Sequence, residues 1–195
     1  KFVTEEEYDP SNLMIVAPDT GAMDRAIYYA DSLGVDVGVF YKRRDFSKVV
    51  NGKNPIVEHK FLGNDVAGKD LIITDDMIAS GGSILEVATD MKARGANKIY
   101  LVATFPLFTE GKKSIDAFDR AYQAGAFHKL YTTNVTYVPE EIQNKEWFTE
   151  VDCSKYLAKI INAIYERDSI REFLDDKTKL QGKILQKKVG EVQSE

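Results

Sequence analysis

From Leu13 onward, short β-branched apolar runs alternate with stretches whose apolar residues recur every three or four positions. The runs at 13–17, 35–40, 71–74, 98–104 and 130–133 predict short strands. Periodic stretches near 22–33, 84–94 and 112–124 predict helices. A fourth, at about 154–167, puts Leu157, Ile160, Ile161 and Ile164 on one face. Gly34, Gly95 and Gly125 fall just beyond the first three, where a left-handed residue commonly ends a helix. Strands alternating with helices predict an α/β fold: a parallel twisted sheet of about five strands flanked by helices. In such sheets ligands lie beyond the carboxyl ends of the strands.

The segment 42–62 does not fit a crossover helix. It is rich in Lys, Arg and Asn, contains Asn51-Gly52 and Asn54-Pro55, and ends in an alternating run, which predicts an exposed flap hairpin. The expected organisation is one domain over 13–168, an N-terminal linker over 1–12 and a C-terminal tail over 169–195. The chain begins with Lys1, not Met, and passes through a polar run before the abrupt start of the strand at Leu13. That beginning suggests a fragment, or a chain trimmed at its N-terminus.

The chemistry concentrates in 71–83, LIITDDMIASGGS. Asp75 and Asp76 stand where the expected strand ends, and Ser80, Gly81, Gly82 and Ser83 lead into a helix with Ile84, Leu85, Ala88 and Met91 on its apolar face. Glycines let a ligand approach the backbone, and the free N–H groups of a helix start favour phosphate. Two carboxylates beside such a site suit hydroxyls or a divalent cation, so the segment asks for a sugar phosphate with vicinal hydroxyls. The plainer reading is a strand-to-helix turn capped by Ser or Gly, with solvated aspartates.

Composition narrows the field. The 195 residues are 44% hydrophobic and 29% charged, a globular balance with enough chain for a full core. A net charge of -5 gives no footprint for nucleic acid or an anionic membrane, and no apolar run is long enough to span one. The lone Cys153 excludes an internal disulfide framework and suits a reducing cytoplasm.

The segment 71–83 resembles the phosphoribosyl diphosphate signature shared by type I phosphoribosyltransferases and ribose-phosphate diphosphokinases. Its neighbours favour the latter. Pro18-Asp19-Thr20-Gly21-Ala22 resembles the Pro-Asp-x-Gly-Gly element of the diphosphokinases. Lys42-Arg43-Arg44 resembles the start of their catalytic flexible loop, and Gly63-Asn64-Asp65-Val66-Ala67-Gly68-Lys69 the lead-in to the signature. The segments follow the family's order, and the resemblance, from about 13 to 164, is to the C-terminal half alone.

That resemblance implies transfer of diphosphate from ATP to ribose 5-phosphate, giving phosphoribosyl diphosphate and AMP for nucleotide biosynthesis. It implies that Asp75, Asp76, Ser80, Gly81, Gly82 and Ser83 bind ribose 5-phosphate, that Asp19 is a ligand of Mg²⁺, and that Lys42 and Arg44 are catalytic. It also implies a homo-oligomer whose N-terminal half, absent here, supplies much of the ATP site. Ala79, Ala22 and Phe105 depart from the family pattern, where an acid, a Gly and a His are common. Two further readings are a phosphoribosyltransferase that consumes phosphoribosyl diphosphate and a non-catalytic subunit that binds the sugar phosphate.

Overall fold

The computed structural model describes residues 1–44 and 56–174 together with residue 182. Its strands are β1 (Leu13–Ala17), β2 (Asp36–Arg44), β3 (Ile56–Leu62), β4 (Asp70–Ile78), β5 (Ile99–Pro106), β6 (Lys129–Thr133) and β7 (Phe148–Val151). Its helices are α1 (Phe2–Glu5), α2 (Met23–Leu33), α3 (Gly82–Ala93), α4 (Lys112–Gln123), α5 (Glu140–Gln143), α6 (Ser154–Glu166) and α7 (Arg171–Leu174). The strands form one seven-stranded sheet in the order β3-β2-β1-β4-β5-β6-β7. Every neighbouring pair is parallel except β2 with β3.

Strand β1 shows why both faces are covered. All five of its residues are buried. Met14 and Val16 join a cluster with Ile84, Leu85, Ala88 and Met91 of α3, Ile115 and Phe118 of α4, and Trp147. Leu13, Ile15 and Ala17 point the other way, into a cluster with Ala22, Ala26 and Ala30 at and along α2. Alternation along a strand sends successive side chains to opposite faces, so an unbroken apolar run requires a layer on each side. Each fully buried Leu- or Ile-sized side chain contributes roughly 1.5–3 kcal/mol.

Seven strands replace the expected five or so. Ile56–Leu62, expected as one arm of a flap, pairs antiparallel with β2 over Val39–Arg44 and so forms the sheet's edge. The Asn51-Gly52 turn lies outside the described residues. Phe148–Val151 pairs with β6 but is four residues long, too short for its period to stand out in sequence. Strand β4 also runs past the expected 74 to Ile78, held by pairing with β5 up to Pro106.

Within the first twelve residues, expected as a linker, Phe2, Val3, Glu6 and Tyr8 pack on the body of the fold while their neighbours are exposed. Phe2 meets Tyr100 edge-on at 4.8 Å and Tyr131 at 6.4 Å between ring centroids. Glu6 accepts hydrogen bonds from Tyr131 Oη at 2.5 Å and Tyr100 Oη at 3.2 Å, and pairs with Lys129 at 3.4 Å. Burial opposes the charge on Glu6, but these hydrogen bonds and Lys129 together hold its carboxyl below the ordinary value of 4.5. At the other end, Tyr156 Oη of α6 donates to the carbonyl of Phe173, tying α7 to α6. The acidic pair Asp175-Asp176 of the expected tail lies outside the described residues.

Candidate functional site

The chain runs from β1 outward to β2 on one side, then returns to lay β4 on β1's other side. Connections therefore diverge between β1 and β4, and the sheet opens a crevice beyond the carboxyl ends of these two strands. Asp19 follows β1, and Asp75 and Asp76 lie in the last turns of β4's pleat. Neighbouring strands thus bring together acids that are 56 positions apart in the chain.

Asp19 begins a 3₁₀ turn. Its Oδ1 accepts from the N–H of Gly21 at 2.8 Å and of Ala22 at 3.1 Å. The side chain therefore shapes the loop between β1 and α2 in addition to any ligand role. Ala22, a departure from the family pattern, has φ -87° and buries its methyl, so no glycine is required there.

Asp75 is mostly buried and Asp76 half exposed, with side-chain exposures of 21% and 52%. The N–H of Asp76 donates to Asp75 Oδ1 at 2.8 Å. Burial, with Asp76 and Asp19 adding like charge, raises the Asp75 carboxyl to about 6 against that backbone hydrogen bond. Crowded carboxylates with a perturbed acid at a strand end are a common mark of a functional site.

The phosphate-loop candidates have separate structural roles. The loop's preceding carbonyls are clamped from the next crossover: Phe108 N–H donates to Ile78 and Thr109 N–H to Ala79, at 3.0 and 2.9 Å. Gly81 has φ +82°, and a Cβ there would stand 2.3 Å from Cε2 of the buried Phe118. Only glycine fits. Gly82 is exposed, and a Cβ on it would meet nothing closer than Ser80 Oγ at 3.7 Å. Ser80 and Ser83 are exposed beside it. Helix α3 starts at Gly82 without a capping side chain from its N-cap residue; apart from a long contact of Gly82 N–H with Ser80 Oγ at 3.5 Å, its first N–H groups are of the kind that take an anion.

Lys42 and Arg44 lie on β2 beyond Val39, the last residue paired to β1, where the strand continues as a two-stranded ribbon with β3. The ribbon's register shifts between Arg43 and Arg44, a bulge that interrupts the regular pairing of the two strands. The side chains of 42–44 lie outside the described residues.

Sequence reasoning missed Arg25. From the first turn of α2 its guanidinium reaches Asp75 Oδ1 at 3.9 Å and Asp76 Oδ2 at 3.8 Å. Its Nη1 is buried with no hydrogen-bond partner. The available signal was its position, since a cation in a helix's first turn opposes the helix dipole.

Among the described residues, no group of three or more His, Cys, Asp or Glu side chains is arranged to hold a metal on its own. Mg²⁺ rarely needs such a cage, because it keeps waters and takes substrate phosphate oxygens. Asp19, Asp75 and Asp76 are hard oxygen donors whose like charges already act on one another, so the donor set fits an incompletely caged Mg²⁺. Among the described residues no helix is long and apolar enough to cross a membrane.

Comparison with known proteins gives consistent relatives. The profile of the phosphoribosyl transferase domain family matches residues 2–130. The chain is 29% identical over 159 residues to a ribose-phosphate pyrophosphokinase of Wolinella succinogenes, covering 82% of this chain and 46% of that protein. To the enzyme of that name from Corynebacterium efficiens it is 30% identical over 166 residues, covering 85% and 47%. The crystal structure of phosphoribosylpyrophosphate synthetase from Mycobacterium smegmatis matches with a TM-score of 0.64 at 25% identity, over 80% of this chain and 46% of that one. The chain thus spans about half the length of the relatives it matches.

Proposed function

Because this chain belongs to the phosphoribosyl transferase domain family, we propose that it is the C-terminal, sugar-phosphate-binding half of a ribose-phosphate diphosphokinase. The reaction moves diphosphate from ATP to ribose 5-phosphate. The anomeric oxygen attacks the β-phosphorus, the bond from that phosphorus to the oxygen shared with the α-phosphate breaks, and AMP leaves while the hydroxyl proton is released. The product, phosphoribosyl diphosphate, feeds nucleotide biosynthesis.

The observation that carries this reading is the meeting of Asp75 and Asp76 with the uncapped start of α3 at the β1–β4 crevice. Ser80, Gly81, Gly82 and Ser83 hold the 5-phosphate through hydroxyls and backbone N–H groups. Asp75 and Asp76 accept hydrogen bonds from the 2- and 3-hydroxyls, contacts roughly twice as strong as neutral ones. Held at both ends, the sugar presents its anomeric oxygen in one orientation. Asp19 would hold Mg²⁺ with water and phosphate oxygens, the Asp75 and Asp76 carboxylates standing beside it, and a bound Mg²⁺ would neutralise phosphate charge. By the family resemblance, Lys42 and Arg44 are the cations that would meet the charge developing on the transferring phosphates. An N-terminal half supplies much of the ATP site, and the working enzyme is a cytoplasmic homo-oligomer.

Calorimetric titration with ribose 5-phosphate and Mg²⁺ tests the reading. Saturable binding is expected for the parent and not for an Asp75→Asn/Asp76→Asn variant. Equal binding by both would place the sugar elsewhere.

A further inference from the structure

We infer that Arg25 is the resident counter-ion of the Asp75–Asp76 pair and is exchanged for a divalent cation when the site fills; this rests on the sugar-phosphate reading of the crevice. Three observations carry it. The guanidinium reaches both carboxylates, Nη1 toward Asp75 and Nη2 toward Asp76, so one cation answers two charges. Its distances, 3.9 and 3.8 Å, are about 1 Å longer than a charge-assisted hydrogen bond, although a planar guanidinium is suited to close bidentate pairing. Its Nη1 is also buried and unpartnered. Arg25 is therefore held by the field of the acids and not by directed bonds. A side chain held in this way can be moved without breaking a hydrogen bond to either carboxylate.

A divalent cation cannot join the carboxylates while a guanidinium stands within 4 Å of both, since like charges so close repel strongly in a partly desolvated crevice. Binding the cation requires Arg25 to leave. Departure also frees the orphaned Nη1–H to meet an acceptor, and an oxygen of the arriving phosphates is of the right chemistry. Arg25 thereby lowers affinity for the bare cation and ties cation entry to arrival of the anionic substrate. Alanines at 26 and 30 fix α2 closely on the sheet, so the movement belongs to the side chain and not to the helix.

The test uses the whole chain, titrated with Mg²⁺ alone and then with ribose 5-phosphate, for the parent, Arg25→Gln and Arg25→Lys. Arg25→Gln is expected to bind Mg²⁺ alone about tenfold more tightly than the parent, since it retains bulk without charge. Arg25→Lys, too short to straddle both acids, should show a smaller gain. Without cation the Gln variant should melt earlier than the parent, with Mg²⁺ closing the gap. Unchanged or weaker Mg²⁺ binding by both variants, with folding intact by circular dichroism, would overturn the exchange. If ribose 5-phosphate binds the parent while Mg²⁺ binds none of the three, the exchange fails and the sugar reading stands. If Mg²⁺ tightens in the variants but the sugar binds none, the exchange stands and the sugar reading fails.

Discussion

Gly81 and Phe118 are matched in shape: the edge of the buried ring occupies the place where a Cβ at Gly81 would stand, 2.3 Å from Cε2. Phe118 cannot yield, because it stacks on Trp147 at 5.6 Å and meets Phe108 and Phe127 edge-on. Gly81→Ala combines left-handed strain with overpacking and should cost roughly 2–4 kcal/mol, weakening ribose 5-phosphate binding with it. Gly82→Ala, which has room, should stay within about 1 kcal/mol of the parent. Urea unfolding of the two variants, with sugar titration, checks the contrast.

Asp75 should make the fold less stable as pH rises. Its folded carboxyl holds its proton up to about 6, while the ordinary value is 3.8. The folded state therefore binds more protons than the unfolded chain between these values, and stability from this group falls as pH climbs through that window. Asp75→Asn should raise the melting temperature at pH 8, by about 1 kcal/mol equivalent, and bring little gain at pH 4. It should also end sugar binding. Thermal melts across pH 4–8 test both.

Glu6 has the opposite sign. Its carboxyl is lowered from 4.5, so its contribution is complete above that value and is lost as pH falls below it. Glu6→Gln should cost about 1–2 kcal/mol at pH 7 through weaker bonds to Tyr100, Tyr131 and Lys129, with the difference closing below pH 4.5. Parallel urea melts at pH 7 and pH 4 would reveal a pH-independent gap if the charge were irrelevant.

Lys42→Ala and Arg44→Ala should separate turnover from binding. In an enzyme that carries its ATP site, each change should lower kcat by ~10³-fold or more, as loss of a cation over transferring phosphate does. Ribose 5-phosphate affinity should hold within about twofold. Loss of sugar affinity would place these residues in the sugar site instead.

The period-two and period-3.6 patterns made the α/β layers legible, because burial on both faces leaves continuous apolar runs such as 13–17 and 71–74. The candidate stretch of Asp75, Asp76 and the loop through Ser83 stood out in the sequence because its residues are contiguous. Arg25 was not, since its meeting with Asp75 depends on β1 and β4 being neighbours, a fact of topology. Glu6 was hidden for the same reason: its partners Tyr100 and Tyr131 lie 94 and 125 positions away. Strand β7 was lost to its brevity, and β3 because an edge strand and a flap arm share one alternating pattern.

The pairing of Leu13 with Asp70 sets when the crevice can come into being during folding. Fifty-seven positions separate the two, and the ends of that long loop must close before β4 can lie on β1. The β1–α2–β2 unit is more local and can assemble first, carrying Asp19 and Arg25 in place. Until β4 arrives, those residues have no acid pair to face. A partly folded chain therefore lacks the proposed sugar site, and a ligand of that site would stabilise only the fully closed sheet. Ribose 5-phosphate should slow unfolding of the native protein and leave the early folding rate unchanged.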